Sequence, residues 1–161
     1  MPATVVSNTS PLFYLHCLQQ LEVLLHLFSQ IMIPPAVVKE LEEGQQRGLN
    51  VPNVSTYPWL QMKVPAELPS LPPSSHLGKG EVEAIALAHE IPETLLLLDD
   101  LSARRAAQGL GITVTGTLGV LLQAKEKGLV PALKPLLLLL RRAGFRLSSK
   151  VEETFLSLAG E

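Results

Sequence analysis

The chain alternates short apolar runs with longer stretches whose apolar residues recur at helical spacing. Residues Ala3–Ser7 (ATVVS) are apolar and β-branched, which predicts a buried first strand. Asn8, Thr9, Ser10 and Pro11 follow as turn and cap chemistry, with Pro11 suited to the first helical position after a Ser10 cap. Leu15, Leu18, Leu21, Leu24, Leu25 and Phe28 fall at helical intervals. They predict one broken helix or two short ones between Leu12 and Phe28. Ile31–Ile33 reads as a second strand, ended by Pro34 and Pro35. A helix over Ala36–Gln46 follows, with Val37, Val38 and Leu41 inward and Gly44 or Gly48 near its end.

Residues Val51 to Pro73 break this rhythm. Pro52, Pro58, Pro65, Pro69, Pro72 and Pro73 predict a loop, with room for one short edge strand around Trp59–Val64. Helical spacing returns in Glu81–His89 (EVEAIALAH), after Gly78, Lys79 and Gly80. Thr94–Leu98 reads as a buried strand ending at Asp99 and Asp100. A helix over Leu101–Gln108, a strand over Ile112–Thr115 and a helix from Thr117 to Lys127 come next. Pro131–Ala143 reads as an amphipathic Leu-rich helix, and Ser149 with Glu152 as a capping box for a last helix to Leu158.

Strands alternating with helices predict an α/β fold: a central parallel sheet of four or five short strands, covered by helices on both faces. In such sheets ligands bind beyond the carboxyl ends of the strands. The residues to inspect are therefore Asn8-Thr9-Ser10, Asp99-Asp100 and Thr115-Gly116-Thr117. Glu40 and Glu81 lie on helices that can face the same edge.

Composition narrows the class. At 161 residues, residues 1–161 are expected to form a single domain. The net charge of −2 argues against a basic nucleic-acid coat, yet an acidic metal site can offset basic residues elsewhere. A single cysteine, Cys17, allows no internal disulfide and fits a reducing compartment. The longest apolar runs are four and five leucines, far below the roughly 18 residues that span a bilayer. With no visible secretory signal, the expectation is a cytoplasmic protein with no membrane contact.

Converging carboxylates repel one another and are tolerated where a hard divalent cation sits between them. Mg²⁺ or Mn²⁺ so held can do phosphodiester chemistry by acidifying a water, orienting the phosphate and stabilising the leaving oxygen. The remaining motifs carry less. Residues 78–81 (GKGE) lack the spacing of a phosphate loop. His16, His26, His76 and His89 show no metal-ligand spacing, and Cys17 sits in an apolar helix. Five consecutive leucines at 136–140 cover every helix face, so at least one points away from its own core, as a homodimer contact would.

Four blocks in order, VVSNTSPL, IPPAVVKELEEG, GEVEAIALAHE and LLLLDDLSARRAAQGLGITVTGTLGVLLQAKEKGLV, resemble the PIN (PilT N-terminus) domain family. The GTLGVL variant is similar to a prokaryotic branch of predicted nucleic-acid-binding proteins, related to toxin ribonucleases of toxin–antitoxin systems. The resemblance implies a three-layer α/β/α sandwich, metal-dependent cleavage of single-stranded RNA, frequent homodimers and, for a toxin, an antitoxin partner. It places the four acidic positions at Asn8, Glu40, Glu81 and Asp100, with Glu83 competing with Glu81 and Asp99 beside Asp100. Glu81, Asp99, Asp100 and Asn8 are then the metal ligands, with Mg²⁺ or Mn²⁺ as cofactor. Thr9, Ser10, Lys79, Arg104 and Thr117 are the expected substrate contacts; Arg104, Arg105 and Lys79 read equally as solvent-facing charges.

One departure matters. Asn8 stands where the family has an aspartate, and it offers a carbonyl oxygen without charge. Two readings follow: a ribonuclease with weakened metal binding, or a silent RNA-binding or protein-interaction module on the same fold. A phosphoacceptor receiver-like domain needs a further lone Asp and a Lys at other strand ends, and neither is visible.

Overall fold

The computed structural model describes residues 2, 4–71 and 76–161; Ala3 of the expected first strand and Pro72 and Pro73 of the expected loop lie outside them. Five strands form one sheet: β1 (Thr4–Ser7), β2 (Ile31–Ile33), β3 (Leu60–Met62), β4 (Thr94–Leu97) and β5 (Thr113–Thr115). Their order is β3-β2-β1-β4-β5, and every pairing is parallel. Among the described residues eight helices accompany them: α1 (Thr9–Cys17), α2 (Val23–Phe28), α3 (Pro35–Gln46), α4 (Lys79–Glu90), α5 (Leu101–Gly109), α6 (Thr117–Glu126), α7 (Lys134–Arg142) and α8 (Ser149–Leu158).

The strands carry two cores because successive side chains point to opposite faces. Val5, Leu95 and Leu97 join one core with residues of α1, α2, α3, α6 and α7. Val6, Leu96 and Leu98 join the other with α4 and α5, through Ile85, Leu87, Ala103 and Ala107. The result is the expected three-layer α/β/α sandwich. It also explains why β4 reads as unbroken leucine: both of its faces are covered.

Several boundaries differ from the sequence expectation. Asn8, not Ser10, is the N-cap of α1, so Pro11 is the third helical residue. The first four N–H groups of a helix have no partner within it, so a proline is tolerated there as well as at the first position. A positive φ of 57° at Gln19 separates α1 from α2. Edge strand β3 is shorter than expected, and β5 starts at Thr113. Helix α7 starts at Lys134, three residues later than expected. Ser148, not Ser149, caps α8, because Ser148 has the extended backbone and its hydroxyl accepts from the Val151 N–H at 3.2 Å. Glu152 instead pairs with Arg141 at 2.5 Å. In the leucine run, Leu136, Leu137 and Leu140 are buried, while Leu138 and Leu139 are exposed. Among the described residues no helix is long and apolar enough to cross a membrane.

The strand order positions the site. The chain leaves β1 for β2 and β3 on one side, then returns to β4 and β5 on the other. The carboxyl ends of neighbours β1 and β4 therefore flank the crevice where such sheets bind ligands. Ser7 faces Leu97 across the two strands, and the Asn8 N–H donates to the Leu97 carbonyl at 3.0 Å.

Candidate active site

Asn8 is the first residue beyond β1 and is buried, with 6% of its surface exposed. It occupies the N-cap position, but its side chain makes no cap bond. Its amide oxygen Oδ1 is buried and finds no hydrogen-bond partner among the described residues. Leaving such an acceptor unpaired costs about 1–3 kcal/mol, so Asn8 is not explained as a helix cap. An orphaned buried oxygen calls for an ion or an ordered water.

Glu40 reaches the same place from α3. Its carboxylate accepts the Thr9 hydroxyl at 2.5 Å. Helix α4 comes close because residue 80 has no side chain. A Cβ on Gly80 would run into Glu40 Oε1 and lie 3.3 Å from Asn8 Oδ1. The glycine thus leaves a space into which both oxygens look.

Glu81, next along α4, has Oε1 held by the Gly78 N–H at 3.0 Å. This is half of a capping box; Gly78 has no side chain to supply the other half. Burial pushes the Glu81 carboxyl above its ordinary value; the Gly78 N–H pulls against this, while the Asp100 and Glu40 carboxylates add to it. Glu40, Glu81 and Asp100 therefore share one electrostatic neighbourhood.

The Asp99-Asp100 pair divides its labour. Asp100 caps α5, accepting from the Ala103 N–H at 2.9 Å, and is exposed. Asp99 turns the other way. Its Oδ1 accepts the Thr117 N–H, and its Oδ2 accepts the Ser10 and Thr117 hydroxyls, each at 2.7 Å. It ties the first turns of α1 and α6 to the end of β4. Gly116 makes room for this: a Cβ there would lie 2.8 Å from Asp99 Oδ1 and 3.2 Å from Arg104 Nη1.

The expected substrate contacts are placed as follows. Thr9, Ser10 and Thr117 converge on the site but spend their hydroxyls on Glu40 and Asp99. Lys79 is exposed on the first turn of α4, and Arg104 is half-buried beside Gly116; neither lines the cleft. The competing residue Glu83 braces two helices instead, accepting from the Ala36 N–H at 3.0 Å.

These residues open on a cleft of about 460 Å³, with Asn8, Thr9, Ser10, Glu40, Gly78 and Glu81 on its polar side. Phe13, Tyr14, Gly44, Leu49 and Val51 form an apolar side that sequence reasoning missed, because apolar residues in and after a helix read as core. A larger cavity of about 600 Å³ sits at the other end of α1, lined by His16, Glu22, His26 and Tyr57 among others. It contains none of the converging acids, so size does not locate the chemistry.

The donor set is all hard oxygen, which suits Mg²⁺ or Mn²⁺. Among the described residues no three His, Cys, Asp or Glu side chains stand together as a ready ligand cluster. The fit rests on the unpartnered Asn8 Oδ1 beside Glu40, with Glu81 and Asp100 near.

Comparisons with known proteins agree with the fold. A family model described as a PIN domain matches residues 4–161. A PilT N-terminus domain protein from the hyperthermophilic archaeon Sulfolobus solfataricus P2 is similar in structure, with a TM-score of 0.57, 19% identity, and coverage of 75% of this chain and 92% of that one. At that identity the likeness shows the shared fold. A search of curated proteins found no match. The chain belongs to the PIN domain family, whose members are generally nucleases that use divalent metals.

Proposed function

We propose that this PIN domain is a metal-dependent endoribonuclease that cuts single-stranded RNA, as a toxin or as an orphan relative. The observation that carries the reading is the buried, unpartnered Asn8 Oδ1 beside Glu40, next to an acid whose charge is already disfavoured. Such a site invites a cation.

Asn8, Glu40, Glu81 and Asp100 would hold Mg²⁺ or Mn²⁺. A bound ion of this kind polarises the phosphate and acidifies water. The chain's own residues do the rest. Thr9 steers Glu40 through its hydroxyl. Glu81 is anchored through Oε1 by the Gly78 N–H, and burial raises its carboxyl above its ordinary value, so its charge gains from a cation beside it. Asp99 keeps α1 and α6 in register and so fixes the cleft. Lys79 and Arg104 lie outside the cleft and would meet flanking phosphates rather than the one being cut. The exposed Leu138 and Leu139 support a homodimer. The toxin reading brings with it an antitoxin partner and a cytoplasmic setting, supported by the sequence resemblance alone.

The test is cleavage of single-stranded RNA by the purified chain with Mn²⁺ and with chelator. The proposal expects cutting that chelator abolishes and that Glu81→Gln reduces at least tenfold. The neutral Asn8 favours a second reading, a silent RNA-binding module. RNA binding without cutting, whatever the metal, would establish that one instead.

A further inference from the structure

The apolar side of the cleft has no part in holding acids, ion or phosphate. Phe13 is its most unusual member. It belongs to neither hydrophobic core among the described residues and remains partly exposed. Its ring is held edge-on against Tyr14 at a centroid distance of 4.9 Å, and Tyr14 is held edge-on against Phe145, also at 4.9 Å. The ring is thus braced from behind yet lines the same space as Asn8, Thr9 and Glu40. Leu49, 56% exposed, lines that space from the segment after α3. That segment lies close because Gly44 has no side chain: a Cβ there would sit 3.2 Å from both Val51 methyls.

Charged oxygens and an apolar aromatic wall within one cleft match a ligand that is itself half anion and half flat apolar ring. We infer that Phe13, with Leu49 beside it, is the stacking site for the nucleobase next to the phosphate to be cut. The inference rests on reading the cleft as a nuclease site. It deepens that reading by giving a reason for single-strand selectivity. A base inside a duplex is already stacked and paired, whereas an unpaired base can turn onto an aromatic side chain. Stacking takes any base, so the wall selects strandedness rather than sequence.

The experiment compares the wild-type chain with Phe13→Leu, which keeps apolar volume but removes the ring, and with Phe13→Trp, which keeps a ring. A single-stranded RNA decamer is the probe, both in Mn²⁺-dependent cleavage and in equilibrium binding without metal. Phe13→Leu is expected to raise KM and weaken binding about tenfold, with the larger part of the effect in KM rather than kcat, while Phe13→Trp restores both. A decamer lacking the base beside the cut should lose the same factor on the wild type and nothing more on Phe13→Leu. Wild-type cleavage with KM unmoved by Phe13→Leu would overturn the stacking site alone and leave the nuclease reading intact. Wild-type binding that weakens in Phe13→Leu without any cleavage would uphold the stacking site and overturn the nuclease reading. Absence of RNA binding in the wild type would overturn both.

Discussion

Asp99 accepts two hydrogen bonds from Thr117, one from its backbone N–H and one from its hydroxyl, each 2.7 Å long. Thr117 is fully buried, so no water stands ready to replace them. Asp99→Ala would leave both donors and the Ser10 hydroxyl without their acceptor. The expected loss is about 3 kcal/mol, or roughly 6–12 °C in Tm for a chain of this size. Thermal unfolding measures it. An unchanged Tm would show that the α1–α6 tie is not structural.

Gly80 tests the close approach of α3 and α4. In an open helix position, Gly→Ala stabilises by about 1 kcal/mol. Here the new Cβ meets Glu40 and crowds Asn8 Oδ1. Gly80→Ala should therefore lower Tm and abolish metal-dependent activity. Adding Glu40→Ala should recover the stability and not the activity. A simple gain in Tm from Gly80→Ala would mean that Glu40 swings away at no cost, and that the two oxygens do not share a site.

Glu81 predicts a pH signature. Its carboxyl lies above its ordinary value in the fold, first because of burial and then because of Asp100 and Glu40. Between the unfolded and folded values the folded state holds the extra proton, so stability falls as pH rises through that window. Glu81→Gln keeps an acceptor for the Gly78 N–H while removing the charge. In chelator it should melt higher than the wild type at pH 7, and the gain should vanish below about pH 4. Mn²⁺ should raise the wild-type Tm and narrow the gap. A Glu81→Gln protein that melts lower at pH 7 in chelator would contradict the crowded-acid account.

How far the sequence alone reaches is visible in particular residues. The strand Ile31–Ile33 was legible because prolines end it, and β4 because four consecutive leucines need two covered faces. The start of α1 was not, since Pro11 is tolerated throughout the first turn. The adjacency of Asp99 and Asp100 was plain, but their division was not. One turn of backbone sends Asp100 to cap α5 and Asp99 across to Thr117, and no local pattern encodes that direction. Gly80 and Phe13 were missed because their roles depend on what α3 and α1 bring near them, which only tertiary packing decides.

Asn8 is the departure from the family pattern with the most direct chemical consequence. Asn8→Asp would supply the missing charge beside Glu40 and near Glu81. In the metal-free protein this adds repulsion, so Tm in chelator should fall. With Mn²⁺ the same charge should tighten binding by about tenfold and raise cleavage in step, because carboxylate count sets the affinity of such sites. Titration calorimetry and the RNA assay read the two effects. Loss of stability with no gain in affinity would place residue 8 outside the ion's reach.

On the proposed function, the orphaned oxygen of Asn8 is a ligand position. A crystal of the wild-type chain soaked in Mn²⁺, measured at the manganese edge, tests it most directly. One anomalous peak is expected in the cleft, within coordinating distance of Asn8 Oδ1 and of at least one of Glu40, Glu81 and Asp100. A cleft without manganese at saturating concentration, or an ion held only by Asp99 away from Asn8, would contradict it.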